Sequence, residues 1–138
     1  MKSQPSPAPA SAKRVVLIID DEDDARTLLS YRLEQHGFRV HCACDGEEAI
    51  WMLNTLSPAL IITDFSMPGM NGRDLVRSIS SAPNLRHIPV IMVSGASEEE
   101  ALRDAAGSIN VRAFIKKSEA WTVIRDEIDK CIEGQKSA

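Results

Sequence analysis

Ile61-Ile62-Thr63-Asp64-Phe65-Ser66-Met67-Pro68-Gly69-Met70-Asn71-Gly72 is the stretch around which this chain is organised. The apolar run Ala59 to Ile62 reads as a buried strand. It leads to a carboxylate, Asp64, and then to a loop punctuated by Pro68, Gly69 and Gly72. A carboxylate at the carboxyl end of a buried strand occupies the place where open α/β sheets keep their chemistry.

Upstream, Val15 to Ile19 is a second wholly apolar strand, running into Asp20-Asp21-Glu22-Asp23-Asp24. That acidic run suits a helix N-terminus. Helical spacing follows at Ala25, Leu28, Leu29 and Leu33, and Gly37 fits a left-handed helix stop. Phe38, Val40, Cys42 and Cys44 alternate with Arg39, His41 and Ala43, as in an edge strand with one polar face. Asp45-Gly46-Glu47-Glu48 has capping-box form and opens a helix through Ala49, Ile50, Leu53 and Leu56.

Downstream, Asn71 caps a short helix that buries Leu75, Val76 and Ile79. Val90 to Val93 is a fourth strand ending in Ser94-Gly95. Ser97-Glu98-Glu99-Glu100 is another capping box, whose helix stops near Gly107. Val111 to Ile115 is a fifth strand running into Lys116-Lys117, and Ser118 is placed to cap a last helix with Val123, Ile124, Ile128 and Ile132. Five strands alternate with five helices. Strands that are apolar throughout need helices on both faces, so the expected fold is α/β, a doubly wound, flavodoxin-like parallel sheet. An edge-forming second strand agrees with the order 2-1-3-4-5.

The length of 138 residues fits one domain. The expected layout is a Pro/Ala/Ser-rich disordered tail over 1–13, a folded domain over 14–134 and a short tail over 135–138. A net charge of −4 argues against nucleic acid or an anionic membrane as the general partner of its surface. No apolar run approaches a membrane span, and the N-terminus lacks a signal-peptide core, so a cytoplasmic location is expected. The three cysteines have no metal-ligand spacing and are expected to be buried, reduced thiols.

In a parallel sheet the ends of strands one, three, four and five point the same way. They bring Asp20, Asp21, Asp64, Ser94 and Lys117 around one crevice. Three close carboxylates repel one another unless a cation lies between them. All-oxygen ligands select a hard ion, Mg²⁺ most plausibly. A divalent cation, a lysine and a hydroxyl around an aspartate form a site for a phosphoryl group, with Asp64 as the nucleophile. Neither GxxxxGK[ST] nor GxGxxG spacing is present, which argues against a nucleotide-binding phosphate loop.

Four pieces in order, Ile19-Asp20-Asp21-Glu22, Asp64 to Gly72, Val93-Ser94-Gly95 and Phe114-Ile115-Lys116-Lys117, resemble the receiver domains of two-component response regulators. The resemblance covers residues of about 14 to 133. It implies a phosphorelay switch: Asp64 accepts a phosphoryl group from a histidine kinase or histidine phosphotransfer protein. It implies Mg²⁺ (or Mn²⁺) held by Asp21, Asp64 and the backbone carbonyl of Ser66, with Asp20 acting through water. Ser94 and Phe114 match the switch pair and Lys117 the phosphoryl-pairing lysine. The face formed by the fourth helix, strand five and the last helix would meet an unknown downstream protein, with Trp121 as a candidate anchor. The resemblance also implies a switch that catalyses its own phosphoryl transfer and self-dephosphorylation rather than a turnover enzyme.

The chain departs from the family pattern in three ways. Ser118 replaces the usual proline after the lysine, and the switch hydroxyl is Ser rather than the commoner Thr. Gly107 to Arg112 reads one residue long, which leaves Lys116 as an alternative; the spacing to Phe114 selects Lys117. Two rival functions belong to other classes. An aspartate-nucleophile phosphatase would place its nucleophile after the first strand, with two Asp separated by one residue. A receiver-like binding module would respond equally with and without phosphoryl.

Overall fold

The computed structural model describes residues 14–95 and 110–136, with side chains through residue 133. The predicted tail over 1–13 and the helix after Ser97 lie outside the described residues. The described elements are β1 (Val15–Ile19), α1 (Asp23–Gln35), β2 (Arg39–Ala43), α2 (Gly46–Met52), β3 (Leu60–Asp64), α3 (Gly72–Ser81), β4 (Val90–Ser94), β5 (Val111–Lys116) and α4 (Trp121–Lys136). All strands pair in parallel, in the order β2-β1-β3-β4-β5.

Alternation along the strands sorts the apolar side chains into two cores. Leu17, Ile19, Ile61, Val90 and Met92 face Ala49 and Leu53 of the α2 segment and Leu75, Val76 and Ile79 of α3. Val16, Ile18, Leu60, Ile62 and Ile91 face Leu33 of α1 and Ile128 and Ile132 of α4. Nearly every one of these residues is sealed from water, which is why β1, β3 and β4 read as continuous apolar runs.

The helix ends obey local chemistry. Asn71 accepts from the Asp74 N–H at 2.9 Å, and Asp45 accepts from the Glu48 N–H at 2.7 Å. Glu48 reaches back to the Cys44 N–H at 2.7 Å, one residue upstream of the position that a standard capping box serves. Gly37 ends α1 at φ +99°, in the left-handed region that glycine adopts without strain.

Several expectations need correction. α2 ends at Met52 and not at Leu56, because Leu53 is its C-cap and the chain then turns. Cys42 and Cys44 are free thiols but exposed, and Cys131 is half-buried. β2 is an edge strand whose Cys42 meets only the polar Ser30 of α1, and it is Ala43, on its other face, that is buried. Beside Cys44, the Glu48 carboxylate pushes the thiol above its ordinary range. Trp51, which its size alone would place in the core, is 74% exposed, since α2 buries Gly46 and Ala49 and turns Trp51 outward. Ser118 does not cap the last helix. α4 starts three residues later, and the Ala120 carbonyl accepts from the N–H groups of Val123 and Ile124. α4 also continues to Lys136, beyond the boundary expected at residue 134.

The extra residue before strand five has a defined place. β4 and β5 pair Val90 with Val111 but Ile91 with Ala113, so Arg112 is a bulge. Below the bulge the ladder is regular through Ser94 and Lys116. The insertion is absorbed before it reaches Lys117.

Candidate functional site

The site lies at the carboxyl ends of β1, β3, β4 and β5. Asp64 ends β3 between two paired neighbours, and its side chain is only 1% exposed. The Phe65 N–H donates to the Val93 carbonyl at 2.7 Å, which carries the pairing with β4 one residue beyond Asp64. The Gly72 N–H donates to the Phe65 carbonyl at 2.8 Å and folds the Ser66–Asn71 loop back over the strand end.

Asp20, Asp21 and Asp64 converge, with one carboxylate oxygen from each lying within 4.8 Å of the others. Asp64 is buried, Asp20 half-buried and Asp21 exposed, so the cluster opens to solvent on one side. Burial holds the Asp64 carboxyl above its ordinary range. Lys117 opposes that shift and Asp20 reinforces it. Burial likewise raises Asp20, against the Glu22 N–H that it accepts at 2.9 Å. Both Asp64 oxygens and the Ser94 hydroxyl are sealed from water; Asp64 Oδ2 has the Lys117 ammonium at 2.9 Å, while Asp64 Oδ1 and the Ser94 hydroxyl have no well-formed hydrogen bond among the described residues. Three oxygen donors, a negative centre that burial disfavours and buried acceptor atoms fit a hard divalent cation.

Lys117, not Lys116, reaches the acidic cluster. Its Nζ stands 2.9 Å from Asp64 Oδ2 and 3.2 Å from Glu22 Oε1. Its backbone N–H donates to the Ser94 carbonyl at 2.8 Å, which fixes the turn after β5 against the end of β4. Burial alone would lower the lysine pKa, but Asp64 and Glu22 outweigh it and hold the ammonium above its ordinary range. Ser94 ends β4, fully buried. Ser66 is exposed, in the loop two residues after Asp64.

Phe114 is 37% exposed on β5. Its neighbours Ala113 and Ile115 belong to the core under α1 and α4, so alternation directs Phe114 to the opposite side of the sheet. Trp121, the candidate anchor, does not share that side. It packs on the α1–α4 core, edge-on to His36 at 6.1 Å between centroids, with the Arg32 guanidinium 5.9 Å from its own ring. Between α1 and α4 a cavity of about 240 Å³ runs from Asp64 and Lys117 past Leu28 to Trp121.

Sequence reading gave Glu22 no role of its own and missed Arg26. Glu22 was read as part of the acidic helix start and of the Ile19–Glu22 piece, and only the distance to Lys117 singles it out. Arg26 donates to the Asp20 carbonyl at 2.5 Å and pairs with Asp23, tying the first turn of α1 to the end of β1.

The family profile described as the response regulator receiver domain matches residues 16–129. The chemotaxis protein CheY of Pseudomonas aeruginosa is 32% identical over 119 residues, spanning 86% of this chain and 95% of that protein. The phosphate regulon transcriptional regulatory protein PhoB of Rhizobium meliloti is 34% identical over 84 residues, covering 61% of this chain and 37% of that protein. A signal receiver domain of a signal transduction histidine kinase from Syntrophus aciditrophicus superposes with a TM-score of 0.81 at 29% identity, covering 88% of this chain and 91% of that one. The chain belongs to the response regulator receiver family, the signalling-switch domains of two-component systems. No described helix is long and apolar enough to cross a membrane.

Proposed function

We propose that the domain accepts a phosphoryl group on Asp64 and that partner affinity follows its phosphorylation. The observation that carries this is the Asp64 side chain, almost sealed from solvent, with Lys117 Nζ 2.9 Å from one oxygen and the Asp20 and Asp21 carboxylates beside it. A donor phosphohistidine would come from a histidine kinase or phosphotransfer protein. An Asp64 oxygen attacks phosphorus, the P–N bond breaks, and its electron pair returns to the imidazole. Asp21, Asp64 and the Ser66 carbonyl, with Asp20 acting through water, would hold Mg²⁺ or Mn²⁺, which supplies charge neutralisation for the transferring group.

The chain's own residues do the rest. Lys117 pairs with the oxygens of the incoming group, and charge in a desolvated site is worth more than in water. Ser94, whose buried hydroxyl lacks a well-formed hydrogen bond, is the donor for one of those oxygens. Movement of Ser94 toward the phosphoryl group frees space behind it for Phe114. The β5 face then passes between two populations, and a downstream protein that prefers one of them shifts the balance. The same acidic pocket would serve self-dephosphorylation.

Intact mass after incubation with acetyl phosphate and Mg²⁺ tests this. A gain of one phosphoryl group in the parent, absent in Asp64→Asn and in EDTA, is the expected result. An Asp64→Asn protein that still gains the group at this site overturns the assignment.

A further inference from the structure

We infer that Glu22 is a positioning residue whose carboxylate holds the Lys117 ammonium beside Asp64 before any phosphoryl group arrives. The inference deepens the proposed function and rests on Asp64 as the acceptor. Glu22 occupies the N-cap of α1, with the extended backbone of that position (φ −98°, ψ 121°). N-caps favour short oxygen-bearing side chains that accept from the first turn. Glu22 makes no such bond. Its side chain, 64% exposed, extends instead to Lys117 Nζ at 3.2 Å. A helix that gives up its cap where a local rule is normally obeyed marks a position shaped by a site.

The geometry of Lys117 shows what this contact does. The backbone N–H of Lys117 is fixed to Ser94, but its side chain is 38% exposed and has a long flexible stem. A lysine tip held only by Asp64 would lose that restraint when Asp64 is esterified, because the acyl phosphate oxygen bonded to phosphorus no longer carries the carboxylate charge. The Glu22 carboxylate takes no part in that reaction, so its contact with Nζ does not depend on Asp64. An ammonium has three donors. With one on Asp64 and one on Glu22, a third remains for an oxygen of the incoming group. Lys117 is thus pre-oriented, and the ordering of its stem is completed before transfer rather than during it.

The test uses the full chain with Glu22→Ala and Glu22→Gln, the second keeping an oxygen acceptor without the charge. Reductive methylation of Lys117, read by peptide mass, reports how firmly the ammonium is held. Beryllofluoride with Mg²⁺ reports phosphoryl-analogue affinity, followed by Trp121 fluorescence in a Trp51→Phe background. Glu22→Ala is expected to speed Lys117 labelling and weaken the analogue about three- to fivefold, the range of one exposed ion pair. Glu22→Gln, which keeps the acceptor and loses the charge, is expected to recover only part of each. Unchanged labelling in Glu22→Ala overturns the inference, as does equal or tighter analogue binding, which would make Glu22 a competitor. A parent protein that takes up no analogue sinks the Asp64 reading, and the labelling rates then decide by themselves whether Glu22 holds Lys117.

Discussion

Gly72 and Asp64 are pressed back to back: a Cβ at residue 72 would stand 2.6 Å from the Asp64 carbonyl oxygen and 2.9 Å from the Phe65 Cα. Both obstacles are backbone, so neither can rotate aside. Gly72→Ala must push α3 away from β3 or shift Asp64 itself. The expected cost is about 1–3 kcal/mol, as for overpacking elsewhere. Urea denaturation measures it, and Mg²⁺ titration should show weaker binding because the strand end moves. A variant of parental stability and parental Mg²⁺ affinity would show that the loop relaxes freely.

Asp64→Asn is expected to be more stable than the parent in EDTA at neutral pH, by on the order of 1–3 kcal/mol, because the amide keeps the shape and removes a charge that burial and Asp20 disfavour. Lys117 keeps Glu22 as a partner in that variant, so no stranded cation offsets the gain. The sign of the pH dependence follows from burial, which raises the folded Asp64 and Asp20 carboxyls. A raised folded value favours the protonated acid. Its contribution to stability is full below the ordinary carboxylate range and is lost as pH rises through the raised value. The advantage of Asp64→Asn should therefore vanish in acid and grow as the pH rises. A gap of the same size at every pH would remove Asp64 ionisation as its cause.

Divalent cation should reverse that order. An ion that binds only the folded site stabilises by mass action, about 2.7 kcal/mol at one hundred times its dissociation constant. Mg²⁺ is expected to raise the melting temperature of the parent and leave that of Asp64→Asn nearly unchanged. Equal shifts in both proteins would place the ion somewhere other than the Asp20, Asp21 and Asp64 cluster.

Much of the fold was legible because its signals are collective. Leu60–Asp64 and Val90–Ser94 are buried on both faces, so their apolar runs need no knowledge of their neighbours. The convergence of Asp20, Asp64 and Lys117 followed from parallel strands alone. What failed depended on coverage by other elements. Cys42 looks like core by alternation, yet β2 is an edge strand and Cys42 lies exposed with its sulfur 3.1 Å from Ser30 Oγ. The packing of Trp121 on the α1–α4 core was not legible, because helix rotation is set by packing against α1, which periodicity within α4 does not report. Glu22 was invisible because a side-chain pair separated by 95 positions has no local pattern.

Ala120 offers a stabilising change. It stands at the N-cap of α4, and its own side chain brings no acceptor for the N–H groups of the first turn. Ala120→Ser or Ala120→Asn is expected to add about 0.5–2 kcal/mol. Because Ala120 is exposed, the change should leave Mg²⁺ affinity as it was. Thermal denaturation with and without Mg²⁺ separates the two effects. No gain from either substitution would mean that the first turn is already satisfied from elsewhere.

Deleting Arg112 is the sharpest check on the register of β5. Val90 pairs with Val111 and Ile91 with Ala113, so Arg112 alone has no partner in the β4 ladder. Val111 packs against the α2–α3 core and Ala113 against the α1–α4 core. Neighbouring residues in a regular strand face opposite ways, so removal of Arg112 would let the chain pass from one core to the other in one step. The deletion is expected to fold with a stability within about 0.5 kcal/mol of the parent, the range of surface changes that disturb no special feature. Lys117 would stay beside Asp64, and labelling by acetyl phosphate would persist. Deleting Lys116 instead should abolish labelling, because Lys117 would then move up one position and face the other way. If the Arg112 deletion also lost labelling, the bulge would be part of the site and not an insertion absorbed upstream of it.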